Sequence, residues 1–295
     1  MNERVLSGFV SWTKTTLGVV AAVLVIAVSG CAHRPEMATM AKTDEPRGWL
    51  VIEGGSYPVN PVVVEKFREL IGGADAKVLL VPTAMADSEL TPELNASAAK
   101  DLGLNNYEVF NTHDRTQADS EEFAARIRAA RGVWFGGGRA GRLAEAYLGT
   151  RTHRELESLY RRGGVIGGSS AGAMILSSFL VRGGVETEDF RNLISKKDRV
   201  GFGFLPNAAI DVHVSQRPNG EGDLAQVVAA YPGLLGIGVD AGTAVVVHGN
   251  QLEVIGGPRA RVTITDGQVH NGNPYYFLKR GDRFDLVRRV VIAAP

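Results

Sequence analysis

Cysteine and net charge are the two features that this sequence most clearly lacks. Cys31 is the single cysteine among 295 residues. Because a disulfide or a thiolate zinc site within the chain needs at least two thiols, neither is expected. Lys plus Arg and Asp plus Glu each total 32, so the formal net charge is +0. Without an excess of basic residues, the composition gives no indication of a nucleic-acid partner.

The apolar run near the N-terminus is too short to cross a membrane. Leu17–Val28 contains 12 residues, whereas a spanning helix needs about 20. Arg4 and Lys14 precede the run, and Val28-Ser29-Gly30-Cys31 at its end resembles a bacterial lipobox. We therefore expect residues 1–30 to be a lipoprotein signal peptide, with cleavage before Cys31 and lipidation of its thiol.

Lipidation of Cys31 predicts a location in the bacterial cell envelope. Ala32, rather than an acidic residue, follows the cysteine, which favours the periplasmic face of the outer membrane. An acylated Cys31 cannot be a nucleophile, so a cysteine-dependent reaction is excluded. Residues 31–48 include Pro35 and Pro46 and have no periodic pattern, so we expect a flexible tether there.

The remaining residues, 49–295, alternate between strand and helix patterns and predict one α/β domain. We expect a three-layer sandwich in which helices cover both faces of a mostly parallel sheet. Two C-terminal β-hairpins should follow, the second through the turn Asp266-Gly267 between Val262–Thr265 and Gln268–His270. Sites in such folds lie at the carboxyl ends of the strands.

One short segment carries the strongest chemical signal. Gly168-Ser169-Ser170-Ala171-Gly172 fits G-x-S-x-G, the nucleophile elbow, between the apolar runs Gly164–Ile166 and Met174–Leu176. The sharp turn from strand to helix requires small neighbours and exposes the hydroxyl of Ser170. The backbone N–H of Ala171 is then placed to stabilise an oxyanion.

A serine nucleophile needs a general base, and the sequence has six histidines. His213 follows an expected strand over Gly203–Asp211, at the edge of the sheet where sites occur, and is the predicted base. His113, in a loop after the third strand, is an alternative. An esterase on the α/β-hydrolase fold would instead use a late histidine, His248 or His270.

Several motifs in a fixed order make the family resemblance specific. The chain resembles the cyanophycinase and aspartyl dipeptidase family of serine peptidases, and its cyanophycinase-like branch above all. The matching segments are Phe135-Gly136-Gly137-Gly138 with Arg142-Leu143, the elbow, Gly203-Phe204-Leu205-Pro206, Ile210-Asp211-Val212-His213 through Ser215-Gln216-Arg217, and Gly236-Ile237-Gly238-Val239-Asp240 with Thr243-Ala244.

This resemblance implies a fold akin to class I glutamine amidotransferases and a reaction through an acyl-enzyme, without metal or cofactor. It implies Ser170 as nucleophile, His213 as base, and an oxyanion hole from the backbone of Ala171, Gly137 and Gly138. Family substrates are aspartyl peptides, with arginine joined to the aspartate side chain in the case of cyanophycinases. We assign Asp211 and Arg217 to substrate binding. The oligomeric state is left open, with a homodimer as one option.

The sequence also departs from the family pattern at positions that matter for catalysis. Ala241 stands where the family has a glutamate beside the histidine, and Ala140 stands where it has a substrate-binding glutamine. Asp240 completes the predicted catalytic set, with Glu186 and Glu188 as other candidate carboxylates. The alternative is an impaired relative that binds peptides or small ligands without turnover.

Overall fold

The computed structural model describes residues 46–182 and 200–293. The larger of two sheets has nine strands, and its centre is parallel. Its parallel strands are β1 (Trp49–Glu53), β2 (Val78–Val81), β3 (Tyr107–Val109), β4 (Gly132–Phe135) and β5 (Val165–Ser169), in the spatial order β1-β5-β4-β2-β3.

The chain continues into a second, five-stranded sheet and then returns to the first. In the second sheet β6 (Ser177–Leu180), β7 (Leu205–Val212) and β8 (Leu235–Val239) are parallel. Next to β1 the first sheet gains antiparallel strands β9 (Thr243–His248) and β10 (Gln251–Gly256). Strands β11 (Arg261–Thr265) and β12 (Tyr276–Lys279) extend the second sheet beyond β8, and β13 (Arg283–Asp285) and β14 (Val290–Ile292) extend the first beyond β10.

Helices pack against these strands and build the remaining layers. They are α1 (Pro61–Ile71), α2 (Pro92–Asp101), α3 (Arg115–Ala118), α4 (Glu121–Ala129), α5 (Ala140–Tyr147), α6 (Arg151–Arg161), α7 (Ala171–Met174) and α8 (Gly220–Ala230), with 3₁₀ turns at Asp87–Glu89 and Val214–Gln216. Successive strand residues enter different cores: Leu50 and Ile52 join one cluster, while Val51 joins another. This alternation explains why strands buried on both faces are continuously apolar.

The predicted fold class is confirmed, and one local prediction is wrong. The chain folds as an α/β protein with a parallel centre and added antiparallel strands. The apolar residues after the elbow form only the short α7 and then β6, which the sequence analysis did not anticipate. Because Met174–Leu176 is apolar without a helical face, burial between the sheets decided its conformation.

The second C-terminal hairpin does not form at Asp266-Gly267. Strand β11 pairs with Tyr276–Lys279 instead of Gln268–His270. The carboxylate of Asp266 accepts hydrogen bonds from the backbone N–H of Gln268 at 3.0 Å and from His270 Nε2 at 3.0 Å. These bonds fold residues 266–270 into a local turn, so the chain needs a longer loop before the next strand begins.

The predicted tether is shorter than expected at its C-terminal end. The N–H of Arg47 donates to the carbonyl of Arg161, and Gly48 is buried. The predicted signal peptide, Cys31 and the candidate carboxylates Glu186 and Glu188 lie outside the described residues. Within the described ranges, no helix has the length and apolar character needed to span a bilayer.

Candidate active site

Ser170 occupies the turn between β5 and α7 in a conformation that few residues adopt. Its backbone has φ 54° and ψ −115°, which is costly for a residue with a side chain and persists only where neighbouring contacts enforce it. The N–H of Ser170 donates to the carbonyl of Glu53 at 3.1 Å. A Cβ at Gly168 would lie 2.2 Å from the carbonyl oxygen of Gly172. The glycine spacing therefore reflects close backbone approach.

His213 meets Ser170 where the ends of the two sheets come together. The Oγ of Ser170 lies 3.1 Å from His213 Nε2, within hydrogen-bond distance. His213 directly follows β7 in a left-handed conformation, with φ 53° and ψ 35°. Its N–H donates to the carbonyl of Gly54 at 3.3 Å. The end of β1 and the loop after it thus form backbone hydrogen bonds with both Ser170 and His213.

Gly55 leaves the space that the imidazole occupies. Its φ is +96°, and a Cβ at this position would lie 2.2 Å from His213 Cε1 and 2.3 Å from Nε2. Carbon atoms cannot approach this closely, so a side chain at residue 55 would displace the ring of His213. The second glycine of Gly54-Gly55 is therefore required by the site itself.

The other ring nitrogen of His213 contacts an amide instead of a carboxylate. Gln216 Oε1 lies 2.9 Å from His213 Nδ1. The two residues are three apart and are joined by the 3₁₀ turn Val214–Gln216, which brings side chains at this spacing onto one side. Gln216 was not predicted as a site residue, although its spacing of three residues from the predicted base, His213, was a usable signal.

Asp240 lies at the expected edge but has other partners. Its Oδ1 accepts from the backbone N–H of Ser215 at 2.8 Å, and its Oδ2 accepts from Arg261 Nε at 2.8 Å. Arg261 also contacts Glu221 at 2.7 Å. Burial lowers the pKa of Arg261, but its ion pairs raise it more, so the pKa lies above its usual value. These contacts correct the placement of Asp240 beside His213: it fixes the turn that carries Gln216.

Asp211 and Arg217 bind each other, which differs from their predicted role in contacting substrate. The Asp211 carboxylate is fully buried and accepts from Arg217, from Arg182 Nε at 2.7 Å and from the N–H of Val212 at 2.8 Å. Burial lowers the pKa of Arg217, but the Asp211 contact raises it above its usual value. A fully buried carboxylate requires counter-ions, and the partly buried guanidinium groups of Arg182 and Arg217 supply them.

The residues predicted for the oxyanion hole lie beside Ser170. A Cβ on Gly137 would come within 4.0 Å of Ser170 Oγ, so the loop after β4 passes directly over the hydroxyl. Gly138, with φ +135°, could not carry a side chain, because a Cβ would lie 2.3 Å from the carbonyl of Ala84. Ala171 begins α7 immediately after the serine. Gly137 and Ala171 therefore lie next to Ser170.

A cavity of about 600 Å³ opens next to this loop. Its walls are largely apolar, as at Leu102 and Trp134, and its charged residues are of both signs: Glu89, Asp101, Arg139 and Arg142. Arg142 is 3.4 Å from Glu89, whereas no carboxylate of the described residues pairs with Arg139. The cavity can thus accept an apolar group together with an anionic one.

The remaining described histidines have partners away from Ser170. His113 is 3.5 Å from Asp87, and His153 Nε2 is 3.0 Å from the carbonyl of Phe202. His248 stacks on Trp49, and His270 contacts Asp266. The esterase interpretation, with His248 or His270 as base, is therefore wrong, and His113 is excluded as the partner of Ser170.

The chain is similar to known peptidases and cyanophycinases. The model of peptidase family S51 matches residues 50–255. A cyanophycinase of Geminocystis herdmanii (strain PCC 6308) is 28% identical over 224 residues, covering 75% of this chain and 80% of the relative. A cyanophycinase of Trichormus variabilis (strain ATCC 29413 / PCC 7937) is 28% identical over 265 residues, covering 83% and 87%.

Two solved structures share the fold. A peptidase from an acI-B1 actinobacterium matches with a TM-score of 0.64 and 24% identity, over 82% of this chain and 98% of that one. A putative peptidase E protein from Listeria monocytogenes EGD-e matches with a TM-score of 0.51 and 18% identity, over 71% and 98%. Together with the family match over most of the chain, these findings show that the protein belongs to peptidase family S51, the cyanophycinase and aspartyl dipeptidase family, and is a peptidase.

Proposed function

We propose that this peptidase hydrolyses peptide or isopeptide bonds through an acyl-enzyme on Ser170. The observation that carries the proposal is the 3.1 Å contact between Ser170 Oγ and His213 Nε2 at a strained elbow. A nucleophile and a base at hydrogen-bond distance are the minimum that serine-based acyl transfer requires. No metal or cofactor enters the proposed reaction.

The proposed reaction has two steps, acylation and deacylation, and His213 carries the proton in both. His213 Nε2 takes the proton of Ser170 as Oγ attacks the scissile carbonyl, and backbone N–H groups of Ala171 and of Gly137 or Gly138 stabilise the oxyanion. The imidazolium then gives its proton to the leaving amine, and the C–N bond breaks. Water attacks the ester in the second step, with His213 again taking and returning the proton.

The proposed substrates are small peptides that contain an aspartyl residue. The family resemblance supplies this class, and one arginine of the cavity supports it. Arg139 lines the cavity without a carboxylate partner among the described residues, so it is available to bind a substrate carboxylate. Arg139 does not take the place of the family's substrate-binding glutamine, where this chain has Ala140. Asp211 and Arg217 are not available to bind substrate, because they bind each other.

Covalent labelling tests the proposal directly. A fluorophosphonate probe should modify the folded protein at Ser170, as located by peptide mass spectrometry. Ser170→Ala and His213→Ala should abolish labelling. Ser158→Ala, at an exposed serine on α6, should leave it unchanged. Folded wild-type protein that does not react at Ser170 would reject the proposal.

A second candidate function follows from the amide beside His213. Because Nδ1 contacts the neutral Gln216 rather than a carboxylate, the chain could retain the cavity and bind aspartyl peptides without turning them over. This candidate predicts thermal stabilisation by such peptides in both wild type and Ser170→Ala, with no product from either. Product formation by wild type alone would decide for the peptidase.

We further propose that the protein acts in the cell envelope, attached by a lipid on Cys31. The support is the lipobox-like segment ending at Cys31 and the preceding apolar run. Full-length protein expressed in a bacterial host should fractionate with membranes and yield an acylated N-terminal peptide beginning at Cys31. Cys31→Ser should release it from the membrane fraction. An unmodified Cys31 in the wild type would overturn this proposal.

A further inference from the structure

The hydrogen bonds of His213 determine which atom of Gln216 must face the ring. For Ser170 to donate its proton, His213 Nε2 must be unprotonated, and Nδ1 then carries the hydrogen. A donor at Nδ1 needs an acceptor, and Gln216 presents Oε1 to it at 2.9 Å. The amide therefore selects the ring tautomer in which Nε2 faces the serine.

We propose that Gln216 is the positioning residue of this active site, and that it supplies orientation without charge. The inference rests on the proposed function of Ser170 and His213. In a serine–histidine–carboxylate triad, the carboxylate both fixes the tautomer and stabilises the imidazolium. An amide oxygen fixes the tautomer but stabilises the imidazolium only weakly. This division predicts a base that is correctly oriented but lacks the charge stabilisation that a carboxylate gives to the imidazolium.

The charged groups around His213 do not supply the missing charge through a direct contact. On β1, the carboxylate of Glu53 binds Ser169, Ser56 and the N–H of Gly55. After β8, Asp240 binds Ser215 and Arg261. On β7, Asp211 is neutralised by Arg182 and Arg217. Among the described residues, Gln216 alone occupies the position beside Nδ1.

The test replaces Gln216 with residues that separate orientation from charge. Gln216 is exposed, so its variants should fold. Gln216→Glu keeps an acceptor and adds the charge, so the acid limb of the pH–rate profile should move upward by roughly one unit. Gln216→Met keeps the length but lacks an acceptor for Nδ1–H, so the fluorophosphonate reaction should slow about 100-fold. Gln268→Glu, an exposed position in the loop after β11, is the control for added charge.

A spectroscopic measurement makes the outcome independent of activity. In the wild type, ¹⁵N spectra of the histidine rings, assigned with His213→Asn, should show His213 protonated at Nδ1 at neutral pH. In Gln216→Met this preference should weaken. An unchanged tautomer in Gln216→Met, together with coincident pH profiles for wild type and Gln216→Glu, would overturn the role of Gln216. Failure of Ser170 to react in any variant would instead count against the proposed function, while the ring spectra would still test the tautomer.

Discussion

The carboxylate of Glu53 accepts a 2.5 Å hydrogen bond from the hydroxyl of Ser169, the residue that precedes the nucleophile. Glu53 is fully buried at the end of β1. It also accepts from the N–H of Gly55 at 3.0 Å and from the hydroxyl of Ser56 at 2.9 Å. One side chain therefore ties the elbow to the glycine loop that borders His213.

Replacing Glu53 by Gln should destabilise the protein and slow labelling of Ser170. An amide offers one acceptor oxygen where the carboxylate offers two, so at least one buried donor loses its partner. We expect a cost of about 1–3 kcal/mol in the free energy of unfolding. Urea denaturation measures the stability, and fluorophosphonate kinetics measure the reactivity. Glu65→Gln, at an exposed residue of α1, should change neither; a stable Glu53→Gln with wild-type kinetics would contradict the assignment.

Most strands and helices could be predicted because their signals are local. Buried strands such as Val78–Val81 are continuously apolar, and Thr91 and Ser120 are residue types that favour helix starts and accept hydrogen bonds there. The elbow and its histidine also follow from local motifs. Their 3.1 Å contact depends on two strands from different sheets, so it could only be inferred from the order of the motifs.

The residues around the Ser170–His213 pair were not predicted correctly, because several polar side chains lie near enough in sequence to be its partners. Asp240 follows a strand at the correct edge, but Arg261, on a neighbouring strand, captures its carboxylate. Asp211 precedes the histidine by two residues, but its burial against Arg217 gives it a structural role. Gln216 was not among the predicted site residues, because it is uncharged. Long-range pairing decided the role of Asp240, whereas burial decided that of Asp211 and a local 3₁₀ turn decided that of Gln216.

The pair Asp266 and His270 predicts a loss of stability at acidic pH. Burial raises the pKa of Asp266, but hydrogen bonds from His270 and the N–H of Gln268 lower it more, so the folded-state pKa lies below its ordinary 3.8. Its stabilising contribution is complete above the unfolded-state pKa and disappears as pH falls through the folded-state value. The difference in unfolding free energy between wild type and Asp266→Asn should therefore shrink as the pH falls through the acidic range in which Asp266 becomes protonated.

Urea denaturation between neutral pH and the acid limit of the native state measures this difference. Glu253→Gln, at an exposed residue of β10, is the control and should track the wild type at every pH. A gap that widened on acidification would mean that Asp266 is protonated more easily in the folded protein, opposite to the direction that its hydrogen bonds require.

Substitution of Arg139 should affect substrate affinity more than turnover. If its guanidinium binds a substrate carboxylate, Arg139→Gln should raise KM for an aspartyl peptide about tenfold or more, which corresponds to the loss of one charged hydrogen bond. The value of kcat should change little, because Arg139 takes no part in the Ser170–His213 proton transfer. Steady-state kinetics on paired aspartyl and asparaginyl peptides measure this.

The paired peptides contain the internal control for Arg139. The asparaginyl peptide lacks the charge, so its KM should be nearly insensitive to Arg139→Gln. Arg280→Gln, an exposed arginine between β12 and β13, should leave both peptides unaffected. Equal losses on the two peptides would assign Arg139 a role in cavity shape instead of charge recognition.

Two glycines with nearly the same φ angle separate the strain of a left-handed φ from displacement of the base. Gly55 has φ +96° and Gly72 has φ +95°. A Cβ at Gly72 meets nothing within 4 Å, whereas a Cβ at Gly55 would lie 2.2 Å from His213 Cε1. Alanine at either position carries the same left-handed strain of about 1–2 kcal/mol, but only Gly55→Ala must also move the imidazole.

We therefore expect Gly72→Ala to lower the free energy of unfolding and leave Ser170 fully reactive. Gly55→Ala should lose stability by at least as much and also lose reactivity toward fluorophosphonate by about 100-fold or more, because a misplaced base costs general-base catalysis that is worth 10²–10⁴-fold. Both quantities come from one preparation, by urea denaturation and labelling kinetics. Equal reactivity of the two variants would mean that the contact between Gly55 and His213 does not position the base.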